Sequence, residues 1–467
     1  MSGETDASSP AAPCSQKTAR TPGLRIVAFN HHFEQDLDAI ELALGLGDVL
    51  VSVPYQLLLR RARRSLDEKY FSELLDPPAS SAEYQSYCAW LERHIRLLIT
   101  LTKPNMVLLP SDTFFYVRPG IEEFRRNGIP CVVLQKETTI TDAVLDHLAP
   151  EIGSNLPFIS DQMLVCSERQ RLFWVKAGAD QEKIQVIGQP RFDVYKNLNE
   201  GEVLGAESLR NDKKKVLFLS FDSRAYIDAD TGNSSGATWD SFKKELVTVL
   251  DAAGSSCEVT VKQHPQERAD SVDLEGRFSV APRDADTRDL IRRSDAVVGF
   301  QTTALFEAAL AGKEVLYPAW GPQWVQHVDL LIPFHDMEPA VTWVKTPEEL
   351  LERLNSETVR RGDRSEAARS VIAEHLGEID GRSGERAVQL LRSWAGDSQL
   401  VGAWGALGPR GGLAARFAAD VIRETARLSV VIAQVPLSLI RRTRLGSPGL
   451  SSLERFARGL KRALRSG

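Results

Sequence analysis

Two hydroxyl residues, Thr302 and Thr303, stand between an apolar run ending at Gly299 and a helical pattern starting near Ala304, in SDAVVGFQTTALFEAALAGKEVLYP (294–318). A strand–turn–helix of this kind presents backbone N–H groups and both hydroxyls at a helix N-terminus, where hydrogen bonds and the helix dipole favour a phosphate. Gln301 opens the turn, and Glu307 comes one turn later, where a carboxylate can accept from ribose hydroxyls. The same residues also suit plain capping, with a threonine closing the first turn and Glu307 supporting it. A second group, Lys262-Gln263-His264-Pro265, comes at the end of the strand pattern Glu258–Lys262. Pro265 ends the ladder and fixes the turn, so Lys262 and His264 can point into a cleft at the carboxyl edge of a sheet. An ordinary surface histidine explains the position equally well. A third group is SERQRLFWVKAGADQEKIQVIGQPRFD, residues 167–193. It carries a helix ending at Ala177-Gly178, then a short strand running into Gly188, Pro190 and Arg191. A structural turn with Arg191 paired to Asp193 is the alternative.

The elements that must position these groups alternate. Short apolar runs predict buried parallel strands at Leu24–Phe29, Val49–Val53, Met106–Leu109, Cys131–Leu134, Gln162–Cys166 and Gln185–Ile187. Helical spacing predicts helices between them, including Leu37–Leu44 and Tyr84–Leu101. A polar stretch at 196–213 reads as a linker. A second series begins after it, with strands at Val216–Phe221, Glu258–Lys262, Phe278–Ala281, Ala296–Gly299 and Glu314–Tyr317, and helices at Trp239–Ala252, Thr287–Arg293 and Ala304–Ala311. Helical residues 347–354 and 364–394 are expected to close this second unit. The fold class is α/β: two Rossmann-like, doubly wound domains, 24–195 and 214–395, facing a cleft. Residues 1–22, rich in Ser, Ala, Pro and Thr, are expected to be disordered.

Charge divides the chain again. Of a net −6 over 467 residues, residues 401–467 hold twelve Arg and Lys against three acids, a net of +9 that leaves −15 for the remainder. The acidic body argues against a nucleic-acid-coating protein. The tail (396–467) has helical patterns at Leu413–Ile440 and Leu450–Leu464. In the second, Leu453, Phe456, Leu460 and Leu464 form an apolar stripe flanked by Arg455, Arg458, Lys461, Arg462 and Arg465. Such a helix suits an anionic membrane surface, with residues 413–465 as the contact; docking on the acidic body is the alternative. No apolar run approaches the ~20 residues of a membrane span. Five scattered cysteines without a CxxC pair fit a reducing cytosol. The expected location is therefore cytoplasmic, with peripheral attachment at the inner face of the membrane.

The three groups together resemble the glycosyltransferase-B superfamily, in its bacterial surface-carbohydrate branch. That branch holds capsule polysaccharide transferases, CDP-glycerol glycerophosphotransferases and nucleotide-sugar 2-epimerases. A fourth element, GEIDGRSGERAVQLL at 377–391, is similar to a late GxxDGxAxxR element of the branch. The resemblance spans roughly residues 24–395. It implies that His264 approaches a donor diphosphate, that Thr302 and Thr303 hold phosphate oxygens, and that Glu307 holds the ribose. Arg382 or Arg386 would help neutralise the diphosphate. Gln301-Thr302-Thr303 departs from the Ser-Ser or Ser-Gly of many relatives, which leaves the donor's identity open.

The first domain would then supply the acceptor side and the base. His31 and His32 come directly after the strand Leu24–Phe29, where a neutral imidazole could deprotonate an attacking hydroxyl. Asp112 and Glu137, each after a strand, are the competing carboxylates. The expected activity is transfer of a sugar, or of a polyol phosphate, from a nucleotide-linked donor to a surface glycan or lipid-linked acceptor. No His, Cys and Asp cluster with metal-ligand spacing is read from the sequence, so neither metal nor cofactor is expected. A nucleotide-sugar 2-epimerase and a non-catalytic scaffold of a polysaccharide assembly complex are the alternatives.

Overall fold

The computed structural model describes residues 23–396, apart from 31–32, 68–69, 71–76, 137–139, 143, 197–212, 223–235, 265–266, 268–273, 275, 329–330, 357–361 and 363–364. The expected disordered N-terminus, most of the linker and the basic tail lie outside the described residues. No described helix is long and apolar enough to cross a membrane.

Twelve strands form two parallel six-stranded sheets. The first orders β2(Val49–Pro54), β1(Arg25–Asn30), β3(Met106–Leu109), β4(Cys131–Leu134), β5(Gln162–Val165) and β6(Ile184–Val186). The second orders β12(Thr342–Val344), β11(Glu314–Pro318), β10(Ala296–Gly299), β7(Lys214–Leu219), β8(Cys257–Lys262) and β9(Ser279–Val280). The helices of the first series are α1(Glu34–Ala43), α2(Gln56–Ser65), α3(Ala82–Thr102), α4(Arg118–Arg126), α5(Ala149–Asn155) and α6(Glu168–Lys176). Those of the second are α7(Gly236–Ala252), α8(Thr287–Arg293), α9(Ala304–Leu310), α10(Pro322–His327), α11(Pro347–Asn355), α12(Glu366–Leu376) and α13(Ser383–Gly396). The α/β class and the paired sheets are as expected; β12 is an additional strand.

Both faces of the first sheet are covered, which is why its strands read as continuous apolar runs. Val27, Phe29, Val107, Leu109 and Val133 face a core shared with α2 to α6. Ile26, Ala28, Met106, Leu108, Val132 and Leu134 face the other way, onto Leu37 and Ile40 of α1 and onto Ala387, Val388 and Leu391 of α13. The last helix therefore packs on the first sheet. This differs from the expectation that a continuous helix at 364–394 would close the second unit. Gly377 breaks that stretch at φ +75°, and the chain crosses back before α13 begins. The exchange is mutual: Phe192 and Tyr195, just after β6, pack into the core of the second sheet.

Gly377 makes the return crossing possible. A Cβ there would lie 1.9 Å from the carbonyl oxygen of Cys166 and 3.2 Å from the Cα of Gly188. The φ value adds strain for any other residue. Gly377→Ala should therefore cost about 3 kcal/mol or more in urea unfolding, since backbone on both sides must shift. A loss under ~1 kcal/mol would show that the crossing is not so close.

Candidate active site

A cavity of about 250 Å³ opens at the carboxyl ends of β7 and β8, lined by Ser220, Lys262, Gln263, His264, Arg283 and Thr287, with Asp284, Thr302 and Ala304 completing the wall. A buried charge pair lies behind two of these lining residues, Ser220 and His264. Glu267, on the turn after β8, takes Lys243 Nζ from α7 at 2.5 Å, Ser220 Oγ at 2.9 Å and the backbone N–H of His264 at 3.1 Å. Both partners of the ion pair have fully buried side chains, and Lys243 also donates to Phe221 O at 2.7 Å. Lys243 and Glu267 thus pin the backbone that presents His264.

His264 is half-buried, and burial is the main force holding its imidazole below the usual value. The charge of Lys136, just past β4 of the first sheet, pushes the same way, while Glu267 and Asp222 oppose. The ring is therefore mostly neutral at neutral pH, able to accept a proton or a hydrogen bond.

Of the residues named from the sequence, Lys262, His264 and Thr302 line this cavity. Lys262 does so with its stem, because its ammonium group is held by the carbonyls of Pro282 (3.1 Å) and Arg283 (2.5 Å). Thr303 sits at the start of α9 and makes no side-chain cap, whereas Thr302 Oγ1 accepts weakly from Ala304 N at 3.4 Å.

Other assignments turn out to be structural. Gln301, with φ +51°, spends its amide on Tyr317 Oη, Ile332 O and Ile332 N. Glu307 Oε2 accepts from Tyr195 Oη at 2.6 Å and lies 3.5 Å from Arg288 Nε, so in this arrangement it serves the junction between the lobes. Arg191 is buried at the same junction. It does not pair with Asp193: its backbone N–H donates to Asp36. Asp193 instead accepts from Ser383 N and Gly384 N, and caps α13.

Arg386 holds Ile187 O, Asp380 and Ser383. Arg382 pairs with Glu385 at the surface, with 67% of its side chain exposed. The 377–391 element is therefore a latch between lobes; neither arginine lines the cavity. Asp112 is fully buried and takes the N–H groups of Ile159 and Ser160, both at 2.8 Å, which removes it as a base. His31, His32 and Glu137 lie outside the described residues.

Arg283, Asp284 and Thr287 were missed as site residues. They come just after β9, so the rule that singled out His264, attention to the residues past the carboxyl end of a strand, would have found them had it been applied to Phe278–Ala281. Among the described residues, no three His, Cys, Asp or Glu side chains gather closely enough to hold a metal ion.

The site lies within a longer match. The model of the CDP-Glycerol:Poly(glycerophosphate) glycerophosphotransferase family fits residues 157–393, just over half of the chain. The chain belongs to this family. It is a glycosyl or polyol-phosphate transferase of cell-surface carbohydrate synthesis. No curated protein matches it in sequence.

Several solved structures are similar to the chain at low identity. UDP-GlcNAc 2-epimerase from Methanocaldococcus jannaschii is 14% identical, covering 79% of this chain and 99% of its own, with a TM-score of 0.48. The wall teichoic acid polymerase TagF is 13% identical over 79% of this chain and 89% of its own, with a TM-score of 0.44. UDP-GlcNAc 2-epimerase from Neisseria meningitidis is 15% identical over 79% and 99%, with a TM-score of 0.43.

The lowered imidazole gives a signed pH dependence. An unfolded histidine titrates near ~6.5, and folded His264 lies below it. As pH falls through that window the unfolded chain binds a proton that the native state refuses, so stability falls with pH. His264→Gln removes this component. Its urea midpoint should drop less than that of the wild type between about pH 7.5 and about pH 5.5. Equal drops would show that His264 titrates alike in both states.

Proposed function

We propose that the protein transfers a polyol phosphate from a nucleotide-diphosphate-linked donor to a hydroxyl of a surface glycan or lipid-linked acceptor. The observation that carries this reading is the cavity at His264, Arg283, Thr287 and Thr302, which falls inside the residues matched by the family. The description of the matched family supports putting polyol-phosphate transfer before the sugar transfer that the sequence put first. A diphosphate suits such a wall: Arg283 offers positive charge, while His264, Thr287 and Thr302 offer hydrogen-bonding groups.

In the reaction, the acceptor oxygen bonds to the donor phosphorus that carries the polyol. The bond from that phosphorus to the bridging oxygen breaks, and the nucleoside monophosphate leaves with that oxygen. The hydroxyl proton passes to a base on the first lobe, for which His31, His32 and Glu137 are the candidates. Sugar transfer would use the same wall for a nucleoside diphosphate leaving group.

The tail supports a place at the inner face of the cytoplasmic membrane. The five basic residues flanking the second helical pattern would each add about 1 kcal/mol on an anionic surface.

A panel of donors decides the chemistry. CDP-glycerol should be consumed with release of CMP and extension of a glycerophosphate acceptor. Consumption of a nucleotide-sugar with release of a nucleoside diphosphate would instead identify a glycosyltransferase, and an altered sugar without any acceptor would identify an epimerase. His264→Ala and Thr302→Ala should each weaken donor binding, by roughly 1–3 kcal/mol for a lost polar contact. On vesicles containing phosphatidylglycerol, the full chain should co-sediment and a 1–400 truncation should not. Equal binding by both would remove the tail's role.

A further inference from the structure

Polar groups from both lobes converge where the chain crosses between them. Asp36, in the first turn of α1, is fully buried. Its Oδ1 accepts from Gln189 Nε2 at 2.7 Å and from Arg191 N at 2.9 Å, while its Oδ2 is buried and accepts no hydrogen bond among the described residues. Burial pushes this carboxyl up, against the pull of Arg191, of its hydrogen bonds and of Arg288. A buried acceptor without a donor carries a desolvation cost, so a fold that keeps one calls for a reason.

Arg288, in α8 of the second lobe, bonds the same residue, Arg191, that Asp36 bonds. Its Nη2 donates to Arg191 O at 2.7 Å. Its Nε lies 3.5 Å from Glu307 Oε2, an ion pair in which that nitrogen makes no hydrogen bond. The guanidinium is therefore held only loosely by Glu307 of its own lobe, and its charge acts on Asp36 of the other.

Both of its neighbours in the second lobe are connected to the cavity. Thr287 lines the cavity, and Arg288 is the next residue. Thr302 and Ala304 line it too, and Glu307 belongs to the helix that Ala304 begins. A ligand seated on that wall acts on the first turns of α8 and α9 together, and hence on the spacing of Arg288 and Glu307.

We propose that Arg288 is a positioning residue that couples occupancy of this cavity to α1 of the first lobe, by exchanging Glu307 for Asp36 Oδ2. The proposal rests on the cavity being the donor site. The bare protein keeps the guanidinium on Glu307. The occupied protein moves it to Asp36, which satisfies the orphaned oxygen and draws α1 toward the second lobe. The ligand favours the exchanged arrangement only to the extent that it binds it better, so the coupling is measurable as an affinity.

The test is a double-mutant cycle on the full chain. CDP-glycerol and UDP-N-acetylglucosamine are titrated calorimetrically, and whichever binds the wild type is used throughout. Asp36→Asn keeps the size and removes the charge; Arg288→Lys keeps the charge and removes the planar fork. Each should weaken binding roughly five- to twentyfold although neither residue lines the cavity, and the pair should weaken it about as much as either alone. Losses that multiply, or an Asp36→Asn protein that binds like the wild type, would overturn the coupling while leaving the donor site standing. Binding of neither ligand to the wild type would overturn both. Should Asp36→Asn not fold, Asp36→Ser takes its place in the same cycle: a loss no greater for the pair than for Arg288→Lys alone supports the exchange, and losses that multiply overturn it.

Discussion

The carboxylate of Asp193 accepts from the backbone N–H groups of Ser383 at 3.0 Å and Gly384 at 2.7 Å, and through these bonds the end of the second lobe is seated on the first. The first N–H groups of a helix have no partner within it, so α13 cannot be buried at its start without an outside acceptor. Asp193 supplies one from just past β6, at the point where the chain leaves the first lobe. Arg386 adds a bond to Ile187 O from the opposite direction. Both crossings thus meet at one place, and that junction sets the relation of the two sheets, with the cleft edge between them.

The cavity depends on a second buried charge. Glu267 and Lys243 are sealed from solvent, and each is satisfied by further bonds to Ser220, Phe221 O and the His264 backbone. Removing one partner of such a pair typically costs about 3–5 kcal/mol, because the other charge is left buried alone. The site is therefore rigid behind its histidine, while the Arg288 side, with its long ion pair, is loosely bonded. This contrast suits a pocket that must hold one wall still and let another respond.

The fold was legible because sheets covered on both faces require unbroken apolar runs, and Met106–Leu109, Cys131–Leu134 and Ala296–Gly299 have just those bounds in the structure. The cavity was partly legible for a similar reason: open α/β sheets place their clefts past the carboxyl ends of strands, which led to His264 and Thr302. Residue type alone could not separate ligand contacts from internal ones. Asp380, Arg382 and Arg386 have the chemistry of a phosphate site and the geometry of a latch, and Gln301 looks like a loop polar residue but closes on Tyr317 and Ile332. The partners of Gln301 lie 16 and 31 residues away, and Ile187, which Arg386 reaches, 199 away, so only the folded chain reveals them.

The seating of α13 also bears on how the protein is made. The face of the first sheet that carries Leu24, Ile26 and Met106 is covered in part by Ala387, Val388 and Leu391, which leave the ribosome several hundred residues later. Domains usually fold as units during synthesis, N-terminal first. Here the first lobe must wait with an apolar strip uncovered until the second has been translated. Completion of the two lobes is therefore a single late event, and the nascent chain carries an exposed surface for chaperones throughout the interval.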